Sequence, residues 1–199
     1  PIIRIEWVTF SGCFLGIVAR KVDDSIGIYK INLDANMTDI KIITTGGTID
    51  KIYFDAKSEF QVGAPQIGEV LKEANVTPGF EITPLLRKDS LEMTDADRNR
   101  IYTAVKSCPQ NRVIVTHGTD TMITTALVLK KIAQKTIVLT GAMQPAKFRF
   151  TDAVFNIASA FTAVQLLPAG VYIAMNGRIF DPETSRKNRD LNRFERREK

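Results

Sequence analysis

From Ile40 onward the chain repeats one unit: an apolar run rich in β-branched residues, a polar loop, then a segment with helical spacing. The runs are "IKIITT", "FEITPLL", "RVIVTHG", "KTIVLTG" and "GVYIAMNG". Between them lie "APQIGEVLKEANV", apolar at Ile67, Val70, Leu71 and Ala74; "TDADRNRIYTAVKSC", behind Thr94 as cap; "TMITTALVLKKIA"; and "TDAVFNIASAFTAVQLL", opened by Thr151 or Asp152. Near-continuous apolar strands belong to parallel sheets whose two faces are both covered by helices. The alternation predicts an α/β fold, a doubly wound parallel sheet with helices on both faces, in a single domain over residues 37–199.

The polar clusters fall in register with that pattern. "TTGGTID", "LLRKDSLEM", "THGTDTM" and "TGAMQP" each follow an apolar strand. In open parallel sheets the carboxyl ends of the strands line the ligand crevice. One such loop is ordinary turn chemistry; four at the same rim point to a site. Glycines after the first strand allow close approach of backbone to a ligand, so "IITTGGTIDK" suits a phosphate, a carboxylate or an exposed nucleophile. Neither Gly-x-Gly-x-x-Gly nor a loop ending Gly-Lys-Ser/Thr is present, which argues against dinucleotide and nucleotide phosphates. The rim is rich instead in Thr48, Ser90, Thr119 and Asp120, residues suited to acyl transfer by a hydroxyl nucleophile, provided a base or relay activates it.

Composition removes other classes. The only histidine is His117 and the cysteines are Cys13 and Cys108, so neither a metal-ligand spacing nor a disulfide framework exists, and no metal or cofactor is expected. Cys108, before Pro109 at a helix end, reads as structural. His117 reads as a loop anchor rather than a base. No run of 18 apolar residues occurs, so no membrane partner is expected. The net charge of +5 is concentrated in "SRKNRDLNRFERREK", with seven Lys/Arg against three acids. Without interleaved aromatics this reads as a solvated helix or tail, and no nucleic-acid partner is expected.

Residues 1–36 read differently. "FSGC" resembles a lipoprotein cleavage box only faintly, since no basic cluster precedes it and the apolar run continues past Cys13. "IGIYKINL" alternates as an edge strand would. The preferred reading is that Met37 opens the native domain and that residues 1–36 are an extra N-terminal segment outside it.

The motifs "TTGGTID", "VTHGTDTM", "TGAMQP" and "DAVFN", in this order, resemble the bacterial-type L-asparaginases over residues from Met37 to about Lys199. The resemblance implies an amidohydrolase that converts L-asparagine to L-aspartate and ammonia through a threonine nucleophile and an acyl-enzyme-like intermediate. It implies that Thr48 is the nucleophile and that Thr119, Asp120 and Lys187 are the second catalytic threonine, its neighbouring aspartate and their lysine. It also implies that Ser90 binds the substrate α-carboxylate; Asp120 can accept the α-ammonium, with Thr119 beside it. Thr45 matches a threonine whose hydroxyl steadies the turn. Lys187 would take a proton from Thr119 or its bound water while Asp120 holds the lysine, and backbone N–H groups after the strands would stabilise the oxyanion.

Three departures qualify the match. Leu91 stands where many members carry a polar residue. In "SEFQVG", Phe60 occupies the place of a tyrosine that assists the first threonine, and Tyr53, five residues after Thr48, is the available substitute. The chain also ends soon after Lys187, where family members usually continue into a smaller domain that gives an acid to a neighbouring subunit; a short asparaginase made of the catalytic domain alone is expected. Low glutaminase activity, a cytoplasmic location and a homo-oligomer complete the expectation. The alternatives are a non-catalytic amino-acid-binding module and the amidase domain of a transfer-RNA amidotransferase, with ammonia release from free asparagine as the discriminating observation.

Overall fold

The five apolar runs lie side by side, and their pairing fixes where the polar loops end up. A computed structural model describes residues 4–9, 15–20, 26–27, 39–54 and 59–197. It divides into two units, Pro1–Met37 and Thr38–Lys199. In the first, β1 (Arg4–Thr9), β2 (Leu15–Arg20) and β3 (Ile26–Gly27) form a three-stranded antiparallel sheet in that order. The "FSGC" cysteine, most of "IGIYKINL" and Met37 lie outside the described residues.

The second unit runs β4 (Ile40–Gly46), β5 (Lys51–Phe54), β6 (Glu59–Val62), α1 (Ile67–Glu73), β7 (Phe80–Lys88), α2 (Asp95–Ser107), β8 (Arg112–Thr116), α3 (Met122–Leu129), β9 (Thr136–Thr140), α4 (Ala153–Leu166), β10 (Gly170–Met175), β11 (Arg178–Phe180), β12 (Ser185–Asn188) and β13 (Arg193–Arg196). Its main sheet has six strands in the order β11-β10-β9-β8-β4-β7, all parallel except the edge strand β11. Side chains alternate across it. Val113 and Val115 face α2 and α3 in one core; Ile114 faces α1 and α4 in the other. The helices therefore divide two to each face, as a doubly wound sheet requires.

Local signals explain the helix starts. Thr94 Oγ1 accepts from the Asp97 N–H, and the Asp97 carboxylate accepts from the Thr94 N–H, a reciprocal capping box that opens α2. At α4, Thr151 Oγ1 accepts from the Ala153 N–H over 3.0 Å. Asp152 is turned to another task, accepting from the Met143 and Gln144 N–H groups.

The chain leaves β4 in one direction for β7 and later returns on the other side for β8. That reversal places the switch point, and the crevice beyond it, between the carboxyl ends of β4 and β8. The loops there are "GGTID" and "HGTD".

The C-terminal stretch is neither a solvated helix nor a tail. β12 and β13 pair antiparallel, with Lys187 opposite Phe194. Phe194 is buried against Phe180, and its N–H donates to Asn176 Oδ1 over 2.9 Å. One aromatic and one backbone anchor decide the conformation, whereas the density of charge in the sequence concealed both.

Candidate active site

Two glycines set the geometry of the rim. Gly46 and Gly47 have φ of 93° and 89°, in the left-handed region open to glycine. A Cβ on Gly47 would lie 2.5 Å from the Gly118 backbone, and one on Gly118 would lie 2.6 Å from Ser90 Oγ. The loops after β4 and β8 thus meet backbone to backbone, and the Ser90 side chain from the loop after β7 packs on the Gly118 backbone. Gly47 and Gly118 immediately precede Thr48 and Thr119, so the segments that carry both threonines and Ser90 approach one another.

Thr48 begins a short 3-10 turn, Thr48–Asp50. Behind it, Thr45 Oγ1 donates to the Thr116 carbonyl over 2.8 Å and ties β4 to β8. Ser90 opens a second 3-10 turn, Ser90–Glu92, capped by Asp89, which accepts from the Leu91 N–H. Burial pushes the Asp89 carboxyl up, but Lys51 at 2.7 Å and the Leu91 N–H outweigh it and hold it below the usual range. Ser90 is 1% exposed, and its Oγ has no partner among the described residues. A buried hydroxyl left unpaired carries a cost that a ligand oxygen would relieve. Thr121 Oγ1 donates to the Ser90 carbonyl over 2.8 Å and fastens this turn to the β8 loop.

At Thr119 the contacts are between side chains. Lys187 Nζ donates to Thr119 Oγ1 over 2.7 Å and to Asp120 Oδ1 over 2.9 Å. Arg189 Nε lies 3.8 Å from the same Asp120 oxygen. Lys187 is held by the β12–β13 hairpin, which hangs from Asn176, and the Asn176 N–H donates to Asn156 Oδ1. Asn156, buried, also donates to the Gly141 carbonyl and to Asp152. The motif "DAVFN" therefore fixes both the "TGAMQP" loop and the support of Lys187.

His117 is fully buried. Its Nδ1 donates to the Gly118 carbonyl over 2.7 Å, which leaves Nε2 to accept from Thr125 Oγ1 over 2.8 Å. Burial pushes its pKa down to about 4, the Gly118 carbonyl works against that, and Arg98 adds to it. The ring is a neutral loop anchor. Cys108 caps α2 and donates through Sγ to the Val105 carbonyl.

Tyr53 and Phe60 are direct cross-strand partners on the β5–β6 hairpin, their ring centroids 5.3 Å apart and edge to face. They are 52% and 47% exposed. The position that the resemblance gives to a tyrosine and its substitute are thus adjacent on one hairpin face. Leu91 is largely exposed beside Ser90.

Sequence reading passed over Asp50, two residues beyond Thr48. It is 1% exposed and accepts at Oδ1 from the Gln66 N–H over 2.9 Å. Burial pushes its carboxyl up to about 6, although the Gln66 N–H and the Arg87 cation both pull it down. Its place directly after Ile49 in the glycine loop "GGTIDK" was the available signal.

A parallel sheet with its crevice at a switch point, and a lysine-held hydroxyl within it, places the chain among α/β proteins whose chemistry lies on the loops of the carboxyl rim. It belongs to the asparaginase family, matching the model "Asparaginase, N-terminal" over residues 39–195. The D subunit of a glutamyl-tRNA(Gln) amidotransferase from Methanococcus vannielii is 30% identical over 170 residues, 76% of this chain and 37% of that protein. A glutaminase-asparaginase from Acinetobacter glutaminasificans is 31% identical over 159 residues, 71% of this chain and 47% of that protein. Among solved structures, the thermostable L-asparaginase from Thermococcus kodakarensis has a TM-score of 0.69 and 25% identity, covering 79% of this chain and 50% of that one. The chain spans half or less of the length of these relatives. Among the described residues no helix is long and apolar enough to cross a membrane.

Proposed function

We propose that this asparaginase-family amidohydrolase acts on free L-asparagine, releasing L-aspartate and ammonia, with Thr48 as nucleophile. The observation that carries the reading is the contact of Lys187 with Thr119 and Asp120. A lysine donating to a threonine hydroxyl beside a carboxylate, at the crevice of the sheet, is a proton relay in waiting.

Thr48 Oγ1 attacks the side-chain amide carbon, and Tyr53 relays its proton: the phenol oxygen accepts it while the phenol O–H proton passes to solvent, and the reverse transfer returns a proton to Thr48 when the ester is released. Backbone N–H groups of the rim receive the developing oxyanion. Thr119, coupled to Lys187, passes a proton to the leaving nitrogen, and the same pair then activates the water that releases aspartate. The Ser90 hydroxyl takes the α-carboxylate, and Asp120 takes the α-ammonium.

The similarity to a glutamyl-tRNA(Gln) amidotransferase favours a second reading, an amidase domain that delivers ammonia within a larger assembly. Ammonia release by the purified chain on asparagine and glutamine, side by side, separates the two. Free asparagine is expected to turn over with at least about tenfold higher kcat/KM than glutamine, the scale of one misplaced methylene. Absence of turnover with retained aspartate binding would leave a binding module, and turnover only with an added partner would favour the assembly.

A further inference from the structure

We infer that Asp50 is a positioning residue for the reaction, clasping the turn of Thr48 to the base of the β5–β6 hairpin and to the start of α1. The inference rests on the reading of Thr48 and Tyr53 given above.

Three bonds make the clasp. The Asp50 N–H donates to the Gly47 carbonyl over 3.1 Å and closes the nucleophile's turn. The Asp50 carbonyl accepts from the Gly63 N–H over 2.7 Å, just beyond the Lys51–Val62 pair that ends the hairpin ladder. The carboxylate accepts from the Gln66 N–H, the residue before α1. α1 in turn buries Ile67 and Leu71 in the core. One residue therefore joins the threonine, the hairpin carrying Tyr53 and a helix seated on the sheet. Without the side-chain bond, the turn keeps the Gly47 contact, the Gly63 contact and the bond from the Ala146 N–H to the Ile49 carbonyl. It loses its only side-chain tie to α1 among the described residues.

The surroundings single out the carboxylate. It borders a cavity of about 280 Å³ lined by Gly63, Pro65, Pro84 and Arg87, among others. Arg87, on β7, is the charged group that faces it. Lys51, the next residue in the chain, is turned to Asp89. Gly63 and Gln66 bring no charge from the hairpin end and from α1. A displacement of about 1 Å at a reacting group is enough to cost a hundredfold in rate, so a clasp at this point acts on catalysis without touching substrate.

The test combines kinetics with hydrogen exchange on the full chain. Asp50→Asn keeps an acceptor for the Gln66 N–H; Asp50→Ala removes it. Asp50→Ala is expected to lower kcat on asparagine tenfold or more while KM moves less than threefold, and Asp50→Asn to restore kcat at pH 8. Exchange at Gly63, Gln66 and residues 59–62 should speed about tenfold in Asp50→Ala, with β8 and β9 unchanged. If Asp50→Ala fails to fold, Gln66→Pro decides: it removes the donating N–H, leaves the carboxylate in place, and should speed exchange at Gly63 and residues 59–62 and lower kcat as Asp50→Ala does. Unchanged exchange at those amides in either variant overturns the clasp, as does a loss of protection spread evenly over the sheet. No ammonia from wild type, with the exchange pattern present in the variants, refutes the asparaginase reading and leaves the clasp standing.

Discussion

Lys187 Nζ stands 2.7 Å from Thr119 Oγ1, although 68 residues separate them in sequence. The contact joins an antiparallel hairpin at the C-terminal end of the domain to the loop after β8. The sheet brings the loop; Phe194 and Asn176 bring the hairpin. Loss of either support displaces the relay without altering any reacting group.

Lys187→Met removes the Nζ and keeps much of the apolar stem. The expected loss in kcat is about a hundredfold or more, the usual scale for a proton-transfer group. Lys187→Arg should not rescue it, because a guanidinium cannot give up its proton near neutral pH and is too broad for two contacts made from one nitrogen. Aspartate affinity should move less than turnover in Lys187→Met, because Arg189 still lies 3.8 Å from the Asp120 carboxylate. Steady-state kinetics and calorimetric titration of the product check both; an active Lys187→Arg variant would remove Lys187 from the proton path.

Thr48→Val and Thr119→Val each keep the shape of the side chain and remove one hydroxyl. Each is expected to cost at least about a hundredfold in turnover. Their combination should cost little more than one alone, because groups acting as a unit are not additive. Near-wild-type release of ammonia by Thr48→Val would end its assignment as nucleophile.

Tyr53 and Phe60 permit a reciprocal test, since they share one hairpin face. Tyr53→Phe removes the only hydroxyl of the pair and should lower kcat by about a hundredfold. Phe60→Tyr should be tolerated. In the double variant, the new hydroxyl at position 60 recovers activity only if that position also reaches Thr48. Unimpaired turnover in Tyr53→Phe would mean that another group takes the proton.

The parallel sheet was legible because its strands are apolar and β-branched and each precedes a polar loop. The family resemblance singles out Thr48, Ser90, Thr119, Asp120 and Lys187 as site candidates, and the structure draws the loops after β4, β7 and β8 together through Gly47 and Gly118. The β12–β13 hairpin was not legible. Its pairing depends on a single buried phenylalanine amid seven basic residues, and a charged stretch carries no periodic signal of either kind. Nor was Asp50: its burial comes from Gly63 and Gln66 folding back over it, a tertiary event that a window of local sequence does not contain.

In the acid range two buried groups pull in opposite directions. His117 is held neutral, its pKa pushed from 6.5 down to about 4 by burial. A base whose folded pKa is depressed contributes stability above pH 6.5 and loses it as pH falls through 4. Asp50 has its carboxyl pushed from 3.8 up to about 6 by burial. An acid whose folded pKa is raised contributes stability below pH 3.8 and loses it as pH rises through 6. Each shift is worth about 3 kcal/mol at 1.36 kcal/mol per unit, so between pH 7 and pH 4 the two nearly cancel. Asp97, held at about 2 by Lys88 and the Thr94 N–H, changes charge below that window. Asp50→Asn takes away one side of the balance. The variant should melt higher than wild type at pH 7.5, by up to roughly 10 °C for a domain of this size. It should then lose that lead on acidification, as the His117 cost goes uncompensated, and meet wild type near pH 4. Calorimetric melting at half-unit steps from pH 7.5 to pH 4 reads this directly. Two profiles that run parallel across the range would show that the Asp50 carboxyl takes up no proton there.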